Sequence, residues 1–415
     1  MKIDLAKVLR PGDGVIWGQS TGEPQALVEA FVEQRAAYRG ATAFLGISYS
    51  GIVRPEHADV LRFSSYAGTG TNRALTAAGV LEIHPHPYSR FGALIRAGRL
   101  RADVVFVQVS PPNARGEHSL GLSHEYLLPA LEGARAIVVE INDQVPWVHG
   151  ERTLKAADFA LSIETSRAPI EAPAAKVGEI ERAIATHAAA FIPDGATLEF
   201  GLGALPDAVL AALADRKDLG VHSGALGDSL IALIERGVVT NARKPIDAGR
   251  VVGGVLMGSR RLFDFAHENA VFHLRSSDYT HAGATLGRLP KFVAINSAVE
   301  VDLTGQVNAE VANGAYVGAV GGALDFIRAA NASAGGVSLI CLPAAVGTKA
   351  SRIVATLSGP VATPRSEAGV FVTEHGAADL RGLTLRERAK RMLAIAAPAF
   401  REPLEREARA QGLLG

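Results

Sequence analysis

The sequence holds a single cysteine, Cys341, so no intramolecular disulfide can form and nothing marks an oxidising compartment. It has no surplus of charge. Lys+Arg and Asp+Glu number 42 each, which argues against the basic excess of a dedicated nucleic-acid binder but leaves room for a local basic pocket. A long apolar run is also missing. The charge-free stretch 329–348 is broken by Asn331, Gly335, Gly336 and Pro343, and it reads as a buried strand with loops, not a membrane span. The first residues, Met1 to Lys7, carry charges where a signal peptide needs an apolar core. These absences lead to the expectation of a cytoplasmic protein with no nucleic-acid or membrane partner. Neither a Gly-x-Ser-x-Gly nor a Walker A pattern occurs.

What is present is a large apolar fraction. The 415 residues are 48% hydrophobic and 20% charged, with 44 Gly and 20 Pro, as expected of a globular chain of two to three domains. The chain also repeats itself. Pro11 to Gly18, then Gly22-Glu23-Pro24 and the apolar positions Ala26, Leu27, Ala30 and Phe31, match a later stretch. That stretch is Pro193 to Gly201, then Gly203, Pro206 and the positions Ala208, Val209, Ala212 and Leu213. Each reads as a turn, a short strand, a Gly loop and a helix with Pro in or beside its first turn. Leu45 to Gly51 pairs with Leu219 to Gly224, and Val104 to Gly116 pairs with Phe292 to Gly305. Four matches in one order predict an α/β fold of two related domains with mostly parallel sheets. The Pro- and Ala-containing stretch 164–176 is the expected seam, giving domains 1–176 and 177–415.

The two halves differ at one informative place. After the matching strand the first half has Ser110-Pro111-Pro112-Asn113 and the second has Ser297-Ala298-Val299-Glu300. Strand ends in open α/β sheets are where ligands collect, so Glu300 is the leading candidate for a reactive acid. Downstream, residues 313–322 carry Gly314, Gly318, Gly321 and Gly322 before a helical pattern. A Gly-rich turn that opens a helix lets backbone N–H groups approach an anion or a developing oxyanion. Gly201-Leu202-Gly203 lacks the third glycine of a dinucleotide loop. His84 and His86 have no neighbouring ligand cluster in sequence, so no metal site is expected. Cys341 reads as a buried strand residue, and Arg381, Arg386, Arg388, Lys390 and Arg391 read as a basic, solvated face.

The run Ala294 to Asn308 resembles the segment taken to carry the nucleophile in the acetyl-CoA hydrolase/transferase family. The resemblance extends to Gly22-Glu23-Pro24, 110–121, Gly220-Val221-His222, Met257-Gly258-Ser259, Gly321-Gly322 with Asp325-Phe326, Ser351 to Val354, and Val372 to Gly376. It implies two related α/β domains and CoA transfer between an acyl-CoA and a short-chain carboxylate such as 4-hydroxybutyrate. It implies a glutamyl-CoA thioester on Glu300, CoA or oxyanion contacts from Ser277, Asp278, Tyr279, Thr280, His281 and Gly376, and an acyl site near Gly321 and Gly322. A homodimer with no cofactor beyond CoA as substrate is expected. Net acyl-CoA hydrolysis and CoA binding without turnover are the alternative readings. The chemistry is physically reasonable: a glutamate of ordinary pKa, about 4.3, is ionised at neutral pH and needs no general base. Three loops depart from the pattern, one of them the glycine turn Val317 to Gly322, where Ser-Gly-Val-Gly-Gly is more common. Ser276 to Gly283 replaces Val-Asp-Tyr-Val-Asn-Asp-Pro. Ser223-Gly224-Ala225-Leu226-Gly227-Asp228 stands where relatives usually have Thr-Glu-Met-Phe-Ser-Asp, so a glycine replaces their glutamate.

Overall fold

Apolar runs of four to six residues build the centres of two parallel sheets, and burial on both faces is why they are continuous instead of alternating. The computed structural model describes residues 3–415. Contacts divide the chain into two units. The first runs up to Pro173 and adds Ser223–Asp228 and Arg250–Ala282. The second comprises Ala174–His222, Ser229–Gly249 and Gly283–Gly415.

The main sheet of the first unit contains β1 (Gly14–Trp17), β2 (Thr42–Leu45), β3 (Arg62–Ser65), β4 (Leu81–Ile83), β5 (Val104–Val109), β6 (Ala136–Asn142) and β7 (Leu161–Thr165). Their spatial order is β4-β3-β2-β1-β5-β6-β7, and every pairing is parallel. All six residues of β5 are buried. The helix Gln25–Glu33 turns Leu27, Val28, Phe31 and Val32 onto the sheet, where Phe31 meets Trp17 and Phe106 edge-on.

The second unit contains β8 (Thr197–Phe200), β9 (Gly220–Val221), β10 (Phe292–Ser297), β11 (Glu300–Asp302), β12 (Val337–Cys341), β13 (Val370–Thr373) and β14 (Gly376–Asp379). Its sheet runs β9-β8-β10-β12-β13-β14, parallel except for the closing β13–β14 hairpin. The run β2-β1-β5-β6-β7 of the first sheet has the same order as β9-β8-β10-β12-β13 of the second. The repeat read from sequence is therefore a repeat of topology. The segments around β1 and β8 and around β5 and β10 fall on counterpart strands, whereas Leu45 to Gly51 runs past the end of β2 and is out of step with Leu219 to Gly224, which contains β9.

The division at 176/177 does not describe the units. Ser223–Asp228 and Arg250–Ala282 lie within the expected second domain, yet they group with the first. Backbone hydrogen bonds explain why. Leu256 N–H donates to Leu122 at 2.9 Å, Leu274 N–H donates to His149 at 2.9 Å, and Val255 bridges Ser123. Residues 329–332 also differ from the expectation, because they end the helix Ala323–Ala332 ahead of β12. Among the described residues no helix is long and apolar enough to cross a membrane.

Candidate active site

Glu300 opens β11, three residues beyond the end of β10. A tight turn sets what it faces. Asp302 Oδ1 accepts from Thr304 N–H at 2.9 Å, Thr304 Oγ1 at 2.8 Å and Gln306 N–H at 2.9 Å. The turn returns Val307–Asn308 antiparallel to β11, in a register that puts Asn308 opposite Glu300. Ile353–Val354 closes the other side in parallel. Val301, Leu303, Val307 and Ile353 are all buried beneath this small sheet.

Glu300 as a residue is 9% exposed, and its two carboxylate oxygens are unlike. Oε1 accepts from Asn308 Nδ2 at 3.0 Å, Ser358 N–H at 2.6 Å and Ser358 Oγ at 2.8 Å. Oε2 has no hydrogen-bond donor among the described residues. Asn308 is itself fully held. Its amide also donates to Val311 O at 2.8 Å, and its Oδ1 accepts from Glu310 N–H and Val311 N–H, both at 3.0 Å. Gly359 makes this possible, since a Cβ there would lie 2.5 Å from Asn308 Nδ2.

The Gly-rich stretch follows directly. Val311–Ala312 and Ala315–Tyr316 form a hairpin across Asn313-Gly314, both with positive φ, the signature of a tight two-residue turn. Val317 and Gly318 N–H groups donate to Glu310 O, at 2.8 and 3.0 Å. Gly321 has φ 55 and Gly322 caps the helix Ala323–Ala332, so the expected turn-into-helix is present, preceded by a hairpin that was not expected.

Gly376 occupies the tight turn that joins β13 to β14 in the six-stranded sheet. Ser297, Cys341 and Val372 lie level across β10, β12 and β13, which brings the segment after Ser297 and the β13–β14 turn to one edge. Gly376 has φ 133, a conformation closed to other residues, and starts β14 opposite Thr373. Glu300, Gly376, Gly321 and Gly322 therefore all belong to the second unit.

Ser277, Asp278, Tyr279, Thr280 and His281 belong to the first unit, not to the domain that carries Glu300. Ser277–Thr280 is one short helical turn. Ser277 is fully buried, and its hydroxyl has no hydrogen-bond partner among the described residues. Asp278 is paired with Arg96, in space left by the missing side chain of Gly92. The Arg275 guanidinium lies 3.6 Å above the Tyr279 ring. Thr280 Oγ1 is 2.8 Å from His281 Nδ1, and the His281 ring is 4.8 Å from that of Tyr88.

Other candidates resolve simply. Cys341 is buried and its thiol is pushed up to about 12 by desolvation, which makes it inert. His84 and His86 lie side by side, and among the described residues no group of three or more His, Cys, Asp or Glu is placed to hold a metal. Arg388 is not on a solvated face; it bridges Thr304 O at 3.1 Å and Arg365 O at 2.7 Å. Ser358 escaped sequence reasoning altogether. Asn308 lay inside the resembling segment without being singled out.

Two related parallel sheets, with a half-bare carboxylate just past a central strand of the second, define a duplicated α/β protein whose ligand edge is the carboxyl end of the strands. The chain belongs to the acetyl-CoA hydrolase/transferase family. Its N-terminal domain model matches residues 2–168 and its C-terminal domain model residues 258–408. The chain is 35% identical over 398 residues to the 4-hydroxybutyrate coenzyme A transferase of Clostridium kluyveri, covering 95% of this chain and 93% of that protein. The crystal structure of RipA from Yersinia pestis superimposes with a TM-score of 0.94 at 32% identity, covering 99% of this chain and 96% of that one. That of 4-hydroxybutyrate CoA-transferase from Porphyromonas gingivalis gives 0.83 at 32% identity, covering 98% and 96%.

Proposed function

We propose that this protein moves CoA between an acyl-CoA and a short-chain carboxylate, with Glu300 as the nucleophile. The observation that carries the reading is the asymmetry of its carboxylate: one oxygen is fixed by three donors and the other is bare. Oε2 attacks the thioester carbonyl and CoA thiolate leaves, giving a mixed anhydride. The thiolate then attacks the glutamyl carbonyl, releasing the carboxylate and leaving a glutamyl-CoA thioester. A second carboxylate takes up CoA by the reverse steps. Keeping CoA bound between steps supplies a high effective concentration for its return. In this reading Gly376 N–H and the Ser277–His281 segment supply oxyanion and CoA contacts, and Gly321-Gly322 borders the acyl group. The scheme needs no metal or redox cofactor. A cytoplasmic homodimer completes the proposal, closed dimers being the commonest assembly. Net hydrolysis differs only in water resolving the intermediate.

A second reading, CoA binding without transfer, has its own support. Three hydrogen bonds onto a nearly buried Glu300 also suit a structural anchor for the loop that carries Ser358, and Gly224 stands where relatives usually have glutamate.

One experiment separates these readings. The protein is incubated with acetyl-CoA and 4-hydroxybutyrate, acetate, propionate, butyrate, succinate or itaconate, and acyl-CoA species are followed by mass spectrometry. Borohydride is then used to trap any enzyme-bound thioester for peptide mapping. A new acyl-CoA with the label on the Glu300 peptide supports transfer through Glu300. Label on another peptide removes Glu300 from the nucleophile role. Free CoA alone, unaffected by carboxylate, indicates hydrolysis. Tight CoA binding with no product supports the second reading.

A further inference from the structure

The first unit contains a buried polar network that the reaction scheme does not use. Its centre is Glu125, which is 3% exposed and has φ 34, the left-handed region that a glutamate seldom occupies. Such strain persists where the surroundings over-determine it, and it concentrates at functional sites. The Glu125 carboxylate accepts from Ser123 Oγ at 3.0 Å, from the Tyr88 hydroxyl and from the Gln19 amide. Gln19 also donates to Tyr88 Oη at 3.1 Å, while its Oε1 accepts from Tyr66 Oη at 2.7 Å and Ile47 N–H at 2.9 Å.

This network reaches the Ser277–His281 segment by two routes. The Glu125 backbone carbonyl accepts from Ser277 N–H at 3.3 Å, and the two strands of chain pair at Glu125 and Ser276. The Tyr88 ring, whose hydroxyl is on the carboxylate, packs 4.8 Å from His281.

We propose that Glu125 is a positioning residue for this segment, and that the charge on its carboxylate sets how tightly the segment holds CoA. The proposal rests on the reading that Ser277–His281 contacts CoA. The physical argument is one of donors and acceptors. An ionised carboxylate only accepts, which suits the three donors aimed at it. A protonated one must donate a hydrogen, so the Ser123 or Tyr88 hydroxyl has to reverse its role and accept, which rearranges the network. Burial lifts Glu125 to about 7, against the hydrogen bonds from Tyr88, Ser123 and Gln19, so both forms are populated near neutrality.

Tyr66, Tyr88 and Tyr126 are held protonated by burial. His124, next in the chain, is pushed down to about 3 by burial and is neutral. Glu151 is held ionised by Arg275 and the Ser276 N–H, despite partial burial, and Asp278 is paired with Arg96. Glu23, which acts on Tyr126, is itself lifted to about 7 by burial; Tyr49, which acts on Tyr66, is raised by burial; His273 acts on His124, and the His281 ring packs on Tyr88.

The test measures CoA affinity by titration calorimetry at pH 6, 7 and 8 for the wild type, Glu125→Gln and Tyr88→Phe. The 3′-phosphate of CoA titrates near pH 6, so the quantity read is the difference between proteins. If only the ionised form is competent, the wild type loses about tenfold in affinity from pH 8 to pH 6 beyond what Glu125→Gln loses. Tyr88→Phe, which keeps the carboxylate but cuts the second route, shows a smaller loss. Identical pH dependence in the wild type and Glu125→Gln overturns the proposal and exonerates the CoA reading. Absence of CoA binding at every pH overturns both. Should Glu125→Gln fail to fold, as judged by its melting curve, Tyr88→Phe carries the test, and a wild-type pH dependence there overturns the coupling.

Discussion

Ser358 donates both its backbone N–H and its hydroxyl to the same oxygen of Glu300, at 2.6 and 2.8 Å. Glu300→Gln keeps the shape but puts an amide where one oxygen accepts three hydrogen bonds and the other must attack. Transfer should fall at least a thousandfold, a barrier increase of about 4 kcal/mol, with the melting curve shifted only a few degrees. Steady-state turnover and differential scanning fluorimetry check this. Turnover within tenfold of wild type would falsify the nucleophile role.

Asn308 reaches the same oxygen through a gap that exists only because residue 359 is glycine. Gly359→Ala puts a methyl group 2.5 Å from Asn308 Nδ2, too close for any Cβ. Asn308 has to move, so its bond to Glu300 is lost or lengthened. Loss of one hydrogen bond to a charged group is about 1.5–3 kcal/mol, or roughly 10- to 150-fold in turnover. Asn308→Ala should give a similar loss, and the double variant little more than either. A fully additive double variant would show that Gly359 acts elsewhere.

Gly376→Ala tests the other turn. Its φ of 133 is inaccessible to alanine without strain, while the nearest atom to a new Cβ is 3.8 Å away, so the penalty is conformational and not a clash. The expected destabilisation is about 1–3 kcal/mol, read from urea denaturation midpoints. A larger fall in turnover than in stability is expected if Gly376 N–H faces the reacting carbonyl.

Stability should also depend on Glu199. Burial raises its carboxyl to about 8, outweighing the hydrogen bonds from Asn296 and the Ile295 backbone. Between roughly pH 4.5 and pH 8 the folded chain therefore keeps a proton that the unfolded chain has released. Stability contributed by this group falls as pH rises through that window, by at most about 1.4 kcal/mol per pH unit, and is flat above it. Glu199→Gln should flatten the slope between pH 5 and pH 8 in chemical denaturation. An unchanged slope would assign the dependence to Glu23 and Glu125, which burial also raises to about 7.

Much of the fold was legible because it repeats. The strand, Gly loop and helix around Trp17 and around Phe200 follow from short-range rules, and both sheets order their strands alike. The tight turn from Asp302 to Gln306 was readable as part of one segment, so Asn308 lay on the page beside Glu300. Ser358 was not, since no spacing rule links residues 58 positions apart that meet through a loop. Glu125 was hidden for a similar reason: its partners Gln19, Tyr88 and Ser277 come from three segments far apart in the sequence. The seam composition does mark where the first long segment of the first unit ends, at Pro173, but it carries no sign of where the chain later returns to that unit.

That return has a consequence for how the protein is made. The first unit is unfinished when Pro173 leaves the ribosome, because Leu122 and His149 still await their backbone partners in Leu256 and Leu274. Closure needs the chain as far as Ala282, so Ala174–His222 and Ser229–Gly249 of the second unit are synthesised before the first is whole. Distant pairings of this kind slow folding and leave apolar surface exposed meanwhile. A fragment ending at the seam should collect in inclusion bodies, whereas joining residues 223–228 and 250–282 back onto it by short linkers should restore a soluble product.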